Sequence, residues 1–281
     1  MENERNFQPQ YTECPIENPL SIRSLFTFSR QKLDKDYIFK GEVHDFTEVV
    51  CITDGKVGIT ANKNVYVLSA GQMIVHPPQE FHAIWSTEGT SPEAIIFSFK
   101  ADALPALPRQ IFSLKTEELA KIRSIQREAE SAFHIGAHSL RLRSNQSVRA
   151  AIIAKKLELF LIRAFSSDIQ PQPEYTGRSA ENYIKILSVM EKNLGETLTT
   201  KELAALCNMS VPAMEKAVFR YLGCGAISYF NTMKIQKAKE MLSAGETVKE
   251  TALALGFANQ NYFSSRFKSA VGIPPSHWRK D

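Results

Sequence analysis

The first hundred residues of the chain carry the hydrophobic spacing of β-strands. Short apolar runs rich in β-branched and aromatic residues recur about every ten residues between turn residues, which predicts a β-sandwich or barrel. The runs, between residues 20 and 100, are IRSLFTFS, EVVCITDG, KVGITA, VYVLSAG, MIVHPP and AIIFSF. The segment ADALPALPRQ, residues 101–110, then breaks the pattern with two prolines. We therefore expect the β-rich region to end there.

Helical spacing follows after residue 110. One candidate helix spans residues 115–134, and a stronger one spans residues 148–167. In the stronger helix, one face carries apolar residues at helical spacing: Ile153, Leu157, Phe160 and Ala164. Four further residues widen the apolar surface nearly all round: Ile152, Leu159, Leu161 and Ile162. The helix therefore either packs between layers of its own chain or offers its second face to a partner subunit.

A polar segment separates these helices from the last hundred residues. SSDIQPQPEYTG contains two prolines together with serine, glutamine and glycine, a composition typical of a linker. After it the pattern is almost wholly helical. The sequence therefore predicts an α+β fold of two domains. Its expected parts are a β-rich domain at 1–110, a helical connector at 111–168, a linker at 169–180 and an all-α domain at 181–281.

One helical unit occurs twice in the last hundred residues. The two copies span residues 199–223 and 247–272. Each begins with T-x-x-E, Thr199 with Glu202 and Thr247 with Glu250. This is the signature of a capping box, in which the threonine side chain and the glutamate side chain each bond to a backbone N–H of the other residue. Both copies are therefore expected to start with a well-capped helix.

Each copy also contains the elements of a tight turn between two helices. A small alanine, Ala204 or Ala252, stands where a second helix can cross closely, and four residues later comes Asn208 or Gly256. Glycine and asparagine tolerate the left-handed backbone better than most residues. Helix, tight turn and helix form a helix-turn-helix. Residues 226–243 predict one long helix that holds the two units at a set distance, as entry into two successive major grooves requires.

Charge is distributed unevenly along the chain. The 281 residues carry a formal net charge of +4, but residues 177–281 alone hold 14 basic and nine acidic side chains. The basic end favours an anionic partner there. The sequence has no apolar run long enough for a membrane span and no apolar signal core at its start. It also lacks a C-x-x-C pair among its four cysteines. We expect a cytoplasmic protein with free thiols and no membrane partner.

The repeat resembles the double helix-turn-helix DNA-binding domain of the AraC/XylS transcription regulators. The resemblance covers residues 181–280 and rests most specifically on LALGFANQNYFSSRFKSAVGIPPSHWR. The first copy matches more loosely, because Val218-Phe219 replaces the family's usual Phe-Lys and Pro212 lies early in its second helix. The resemblance implies a fold with two DNA-reading helices and double-stranded DNA as partner.

Two sets of residues are expected to contact DNA. The resemblance places base reading on Pro212, Glu215, Lys216, Gln260, Asn261 and Ser265. Glutamine and asparagine suit adenine, serine suits several bases, and lysine suits guanine or phosphate. Basic side chains suited to phosphate contact are Lys201, Arg220, Lys249, Lys268 and Arg279. Arg266 falls nearer the protein side of its helix.

Two stretches of the β-rich region, GEVHDFTE and GQMIVHPPQEFH, resemble the two motifs of a cupin β-barrel, the usual sensor domain of the same family. The candidate effector-binding residues are His44, Glu48, His82 and Trp85. They suit a small polar ligand such as a sugar, with Trp85 as an aromatic wall. Metal-binding cupins have a second histidine where this chain has Phe46. The three remaining donors still suit a metal chemically, but we predict no metal, no other cofactor and no catalytic residue.

Together these patterns predict a sequence-specific transcription regulator that responds to a small-molecule effector. We expect it to form a homodimer through the connector helices, and RNA polymerase stands as a further candidate partner. The sequence does not distinguish activation from repression. Alternatives are a cupin-type metal enzyme with an appended helical domain, a ligand-independent regulator, and a helical module that binds only proteins.

Overall fold

The first half of the chain folds into two facing antiparallel sheets. The computed structural model describes residues 12–39, 41–62, 64–87, 89–105, 107, 111–136, 139–166 and 178–278. Its first eight strands are β1 (Ser21–Lys32), β2 (Thr47–Asp54), β3 (Lys56–Ala61), β4 (Asn64–Ser69), β5 (Gln72–His76), β6 (His82–Ser86), β7 (Glu93–Ala103) and β8 (Ile111–Ser113). They form a five-stranded sheet in the order β1-β7-β2-β5-β8 and a three-stranded sheet in the order β4-β3-β6. The expected α+β fold with an N-terminal β-sandwich or barrel is confirmed.

Apolar side chains hold the two sheets together and attach two helices. Val50, Ile59 and Leu68 are buried between the sheets. The other face of the five-stranded sheet is covered by α1 (Thr116–Ala132) and α2 (Ser147–Phe165). Here the ring of Phe97 on β7 lies 6.5 Å from that of Phe160 on α2. The predicted helices are therefore present, and the apolar face of α2 packs within its own chain.

A short hairpin interrupts the two helices. It consists of β9 (Phe133–Gly136) and β10 (Ser139–Leu142), paired antiparallel. The sequence pattern predicts neither this hairpin nor β6 and β8. The three shortest, β8, β9 and β10, have three or four residues, which is too short for alternation to stand out.

Six helices form the second half of the chain as far as the structure describes it, residues 178–278. They are α3 (Arg178–Lys192), α4 (Thr200–Leu206), α5 (Val211–Leu222), α6 (Ala226–Ser243), α7 (Val248–Ala254) and α8 (Gln260–Val271), followed by a 3-10 turn at Pro275–His277. Both predicted capping boxes are formed, at Thr199 and at Thr247. Asn208 and Gly256 adopt the predicted left-handed backbone, with φ of 55° and 66°. The two helix-turn-helix units are therefore α4–α5 and α7–α8, joined by α6.

A buried lysine in the middle of α6 ties the two units together. The Nζ of Lys234 donates to the carbonyl of Glu196 at 2.6 Å and to that of Leu255 at 2.9 Å. It also lies 5.0 Å from the ring of Phe230 and 5.5 Å from that of Phe257. Glu196 precedes the first unit and Leu255 ends the first helix of the second. Lys234 therefore fixes the position of each unit relative to α6.

The helical half packs against the outer face of the three-stranded sheet. The Oγ1 of Thr60 on β3 donates to the carbonyl of Tyr221 on α5 at 2.5 Å. The hydroxyl of Tyr183 on α3 donates to the carbonyl of Asn62 at 3.0 Å. The ring of Trp85 on β6 lies 5.6 Å from that of Tyr221. The three-stranded sheet thus separates the interior of the β-rich domain from the helix-turn-helix domain. None of the described helices combines the length and the apolarity that crossing a membrane requires.

Candidate functional site

The second helix of the second unit, α8, exposes a neutral polar face. Phe263 and Phe267 are fully buried and dock α8 on its own domain. Gln260, Asn261 and Ser265 are exposed on the opposite side. Asn259 caps the helix by accepting a hydrogen bond from the backbone N–H of Tyr262 at 2.8 Å. The polar face is therefore held by a capped, well-packed helix and is open to a partner.

The corresponding helix of the first unit, α5, has a smaller open face. Met214 and Val218 are buried, and Pro212 and Lys216 are exposed. Glu215 is half-buried, and its Oε2 accepts a hydrogen bond from the backbone N–H of Ala226 at 3.1 Å. This bond stabilises the start of α6, where helix N–H groups have no partner within the helix. The carboxylate proposed for base reading is thus also engaged within the domain.

Most of the cations proposed for phosphate contact lie at the surface. Lys201, Arg220, Lys249 and Lys268 are exposed. Arg279 lies outside the described residues. Arg266 is also exposed and lines a cleft between the two domains together with Gln236 and Lys239.

A polar cavity lies between the two sheets of the β-rich domain. Its volume is about 490 Å³. Apolar side chains such as Val50 and Ile59 form part of its wall. The polar side chains that line it are Thr27, Ser29, Gln31, Tyr37, Glu42, Glu48, His76 and His82. A cavity of this size with several convergent polar groups suits a small polar molecule.

Two histidines and two glutamates meet at one end of this cavity, and we call them the polar cluster: Glu42, Glu48 and His82, which line the cavity, and His44 beside them. The Nε2 of His82 lies 3.2 Å from Oε1 of Glu48 and 3.9 Å from Oε1 of Glu42. The Nε2 of His44 lies 3.9 Å from Oε2 of Glu48. The three residues predicted from the two motifs are therefore brought together, and Glu42 joins them.

Backbone carbonyls orient both histidines of the polar cluster. The Nδ1 of His44 lies 2.9 Å from the carbonyl of Phe46, and that of His82 lies 3.1 Å from the carbonyl of Glu80. A carbonyl only accepts, so each Nδ1 carries a proton and donates it. Each Nε2 therefore faces the other members of the cluster.

Three residues of the site were not predicted from the sequence: Glu42, His76 and Glu80. His76 is fully buried, its ring stacks on that of His82 with a centroid distance of 4.3 Å, and its Nδ1 lies 2.7 Å from Oε2 of Glu80. The sequence offered a signal for His76, since it stands in an apolar strand where a polar residue requires a partner. It pairs directly across from Glu48 in the β2–β5 ladder.

The charges of the cluster are set by burial and by the contacts among its members. Burial lowers the pKa of His44 and lowers that of His76 well below its usual value, and nearby His82 adds to both shifts. Burial also opposes ionisation of His82 and Glu48. Their opposite charges outweigh burial, so the pKa of His82 is raised and the pKa of Glu48 is lowered. The contact therefore favours the ionised carboxylate of Glu48 and the protonated form of His82, whereas burial favours the neutral forms of His44 and His76.

Trp85 is not part of the cavity, which corrects the prediction of an aromatic wall. Alternate residues of a strand point to opposite faces of the sheet. On β6, His82 and Ile84 line the cavity, whereas Trp85 points outward and packs against Tyr221. Its ring lies over Gly58 on the neighbouring strand, where any side chain would overlap it. Trp85 therefore belongs to the contact between the domains.

The fold defines a class of protein in which a β-rich domain encloses a polar cavity and a helical domain carries two helix-turn-helix units. Comparison with known families follows the same division. The AraC-like ligand binding domain matches residues 28–160, and a helix-turn-helix domain matches residues 203–281. The chain belongs to the AraC family of transcription regulators.

Individual relatives are distant. The transcriptional activator RhaR of Yersinia pestis bv. Antiqua is 24% identical over 259 residues, which cover 86% of this chain and 85% of RhaR. The transcriptional regulator GbdR of Pseudomonas aeruginosa is 28% identical over 111 residues, 39% of this chain, and the match spans only 30% of the length of GbdR. The crystal structure of ToxT from Vibrio cholerae aligns with a TM-score of 0.36 at 15% identity, covering 90% of this chain and 96% of ToxT.

Proposed function

We propose that this protein is a cytoplasmic, sequence-specific DNA-binding transcription regulator that responds to a small polar molecule. The observation that carries the proposal is the repeated arrangement in α5 and α8. In each helix two apolar residues one turn apart are buried, and the opposite side is exposed near the helix N-terminus. This is the side that a recognition helix inserts into the major groove.

The exposed polar side chains of the helix-turn-helix units are of two chemical kinds, suited to different tasks. Gln260 and Asn261 are neutral hydrogen-bonding side chains, which read base edges, and adenine in particular. Lys201, Lys249 and Lys268 are exposed cations, which fix the position of a protein on the phosphate backbone. When several such cations bind DNA, they release counterions from its phosphates. This release is less favourable at high salt, so DNA binding should weaken steeply as salt is added.

The cavity between the two sheets is the proposed effector site. Its hydroxyl, amide, carboxylate and imidazole groups suit a ligand with several hydroxyls, and a carbohydrate fits this description best. His44, Glu48 and His82 of the polar cluster would contact it. A thermal-shift screen of sugars tests this part, since a ligand that binds only the folded protein raises the unfolding temperature.

A homodimer through α2 accounts for the apolar side chains that this helix leaves uncovered. Val148, Ile152 and Leu159 are 73%, 45% and 49% exposed. Ile152 follows Val148 by four residues and Leu159 follows Ile152 by seven, which places all three side chains on one stripe of the helix. A second copy of the chain would cover this stripe and present four helix-turn-helix units to DNA. Sedimentation analysis at micromolar concentration tests the dimer, and a monomer both with and without DNA would contradict it.

The loop between β5 and β6 offers a physical connection between effector and DNA. In this loop the carbonyl of Gln79 accepts from Gln236 on α6, and its side-chain oxygen accepts from Lys239, both at 2.9 Å. Phe81 packs edge-on against Tyr229 of α6, with ring centroids 4.8 Å apart. His82, the next residue, faces the cavity. A ligand that shifts His82 would therefore shift α6, which joins the two units.

RNA polymerase would be the partner at the promoter.

Mobility-shift titrations with DNA upstream of the encoding gene test DNA recognition. Gln260→Ala and Asn261→Ala should each weaken binding to the preferred site by about 1–3 kcal/mol and relax the preference at particular base pairs. Lys268→Ala is the matched comparison on the same helix. It should weaken binding to all sequences and reduce the salt dependence. Equal loss across all sequences in the first two variants would assign them to the backbone instead.

A further inference from the structure

The second helices of the two helix-turn-helix units, α5 and α8, correspond residue by residue. Each has 12 residues and follows a polar N-cap residue, Ser210 or Asn259, whose side chain accepts from a backbone N–H in the first turn. Each ends at a glycine with left-handed backbone, Gly223 or Gly272. Every residue of α5 therefore has a counterpart in α8, 49 positions further along the chain.

One outward stripe differs in chemistry between these two helices. Pro212, Lys216 and Phe219 follow one another at steps of four and three residues, which places them on one face of α5. All three are exposed, and Phe219 is exposed over 49% of its surface. Their counterparts in α8 are all polar: Asn261, Ser265 and Lys268. The stripe that offers hydrogen bonds in α8 therefore offers mainly apolar surface in α5, with one lysine between.

The neighbouring carboxylate of Glu215 is engaged at the start of α6. The N-cap residue of α6 is Gly225, which has no side chain to cap the helix. Instead, Oε2 of Glu215 accepts from the backbone N–H of Ala226 at 3.1 Å. Turning this carboxylate towards a base would leave that N–H without its acceptor. The bond therefore keeps Glu215 with α6 and leaves the outward stripe of α5 mainly apolar.

An apolar side chain can read one feature of the major groove. Every base pair presents hydrogen-bond donors and acceptors there, but thymine alone adds an apolar group, its C5-methyl. The side chains of proline and phenylalanine neither donate nor accept hydrogen bonds, and Pro212 also lacks a backbone N–H. Contact with a methyl group removes apolar surface on both sides from water. The chemistry of the stripe therefore matches thymine better than the other bases.

The charges around the stripe favour DNA as the partner that covers it. Lys216 lies within the stripe, and Lys201 on α4 and Arg220 on α5 are exposed on the same unit. Cations beside an apolar stripe match a groove whose walls are phosphates, whereas the core of a protein–protein interface is depleted of charge. The equivalent stripe of α8 is the face proposed above to read bases, so one duplex can contact both helices.

We propose that the first helix-turn-helix unit recognises thymine through its C5-methyl group, with Pro212 and Phe219 as the contacting side chains. The inference rests on the proposed function and adds the base that the first unit selects. Pro212 and Phe219 are seven residues apart, which a rise of about 1.5 Å per residue converts to about 10 Å. Successive bases of a strand are about 3.4 Å apart. The two contacted thymines should therefore lie within about three base pairs of each other.

Replacement of thymine by uracil tests the proposal, because uracil lacks only the C5-methyl group. The full chain first selects a preferred site from random duplex DNA. Asn261→Ala then identifies the half of the site that α8 contacts, because the base preference is relaxed there. Uracil in the other half should weaken binding about fourfold for each contacted thymine, as expected for one buried methyl group. Uracil in the half contacted by α8 is the matched control, since Gln260 and Asn261 contact bases by hydrogen bonds.

Variants at Phe219 connect the effect of the methyl group to one side chain. Phe219→Lys gives α5 the residue that α8 has at the equivalent position. It should remove the difference between thymine and uracil at one base position and make binding more dependent on salt, as one added phosphate contact does. Phe219→Ala should remove the same difference without the added salt dependence. Leu253→Ala is the control, because Leu253 is 77% exposed on α7, outside both reading helices, and it should keep the full thymine preference.

Three results would overturn the proposal. The first is equal affinity of the unaltered chain for the thymine and uracil forms of a site that it binds specifically, which would leave the proposed function intact. The second is a thymine preference in Phe219→Lys as large as in the unaltered chain at every position. The third is loss of transcription in Phe219→Ala with unaltered DNA affinity, which would assign the stripe to a protein partner. Failure of the proposed function is distinguishable, because the chain would then select no DNA sequence at all.

Discussion

At the scale of single residues, the turn of the second helix-turn-helix unit depends on Gly256. Its φ of 66° is in the left-handed region, and an added Cβ would overlap the backbone carbonyl of Gly195. The carbonyl of Gly256 also accepts a hydrogen bond from Oγ1 of Thr197 at 2.6 Å. Gly256 thus forms the turn and lets the segment before the first unit approach the second. Asn208 holds the equivalent turn in the first unit.

Gly256→Ala should destabilise the protein more than a substitution at a glycine that only has positive φ. Gly245 is the matched control, with φ of 95° and no atom within 4 Å of an added Cβ. Gly245→Ala meets only the backbone strain, about 1 kcal/mol, whereas Gly256→Ala adds a backbone overlap, for a total of about 2–3 kcal/mol. Urea unfolding followed by circular dichroism measures both. Equal losses would show that the segment around Gly195 moves away freely.

Buried His76 should make stability depend on pH. Burial holds its pKa well below 6.5 in the folded protein. The unfolded chain therefore binds more protons as pH falls below about 6.5, so stability should fall as pH is lowered from 7 towards 5. His76→Gln should flatten this dependence of the unfolding temperature, and exposed His134→Gln should leave it unchanged. The same slope in His76→Gln as in the unaltered chain would contradict the assignment.

Residue chemistry was predictable from the sequence where a local rule applies. Asn208 and Gly256 follow from their place after a capped helix, and the outward face at Gln260 and Asn261 follows from helical spacing. The direction of the Trp85 side chain does not follow from the sequence. A five-residue strand has two faces, and the elements packed against each face decide which one lines the cavity. Glu42 lies outside any regular element, so periodicity gives no information about it.

At the scale of elements, α6 is more than a spacer. It carries Lys234 at its centre, with both hydrogen bonds of the Nζ directed to carbonyls outside the helix. Burial lowers the pKa of Lys234, and the two carbonyls and two aromatic rings around Nζ offset part of the cost of desolvation. Sequence spacing predicts the helix at 226–243. It predicts no role for Lys234, since a lysine is usually on a solvated face.

Lys234→Met should destabilise the helix-turn-helix domain by about 1–3 kcal/mol, because a methionine of similar length leaves two carbonyls without donors. The matched control is Lys237→Met on the same helix. Lys237 is exposed and pairs with Glu240, and such surface pairs contribute about 0–1 kcal/mol. Thermal unfolding by circular dichroism and mobility shift should both detect the Lys234 change. Unaltered stability in Lys234→Met would mean that water replaces the ammonium group.

At the scale of the whole molecule, the cavity and the helix-turn-helix domain lie on opposite faces of the same three-stranded sheet. Ile59 on β3 faces the cavity, and the next residue, Thr60, bonds to Tyr221 of α5. The order of the two domains was predictable from the sequence, because each has its own hydrophobic period. The contact between them was not, because it depends on which strand edge and which face of the sheet the helices pack against.

Lys239→Ala should reduce the effect of effector on DNA affinity. Effects of one ligand on another are typically about 1–3 kcal/mol, or 5–150-fold, and loss of the bond to Gln79 should bring this ratio closer to one. Lys237→Ala, two residues away on α6, is the control. DNA titrations with and without an effector found by thermal shift measure the ratio. An unchanged ratio in Lys239→Ala would exclude the contact between Lys239 and Gln79 as the connection.

The shared sheet has a consequence for building chimeric regulators. Trp85, Phe81, Ala83 and Val65 of the β-rich domain are buried in one cluster with Tyr183 and Tyr221 of the helical domain. Cutting the chain at the linker would leave these side chains in water. A graft of this β-rich domain onto a foreign DNA reader would therefore keep its ligand response only if the partner's helices were altered to cover the same apolar surface.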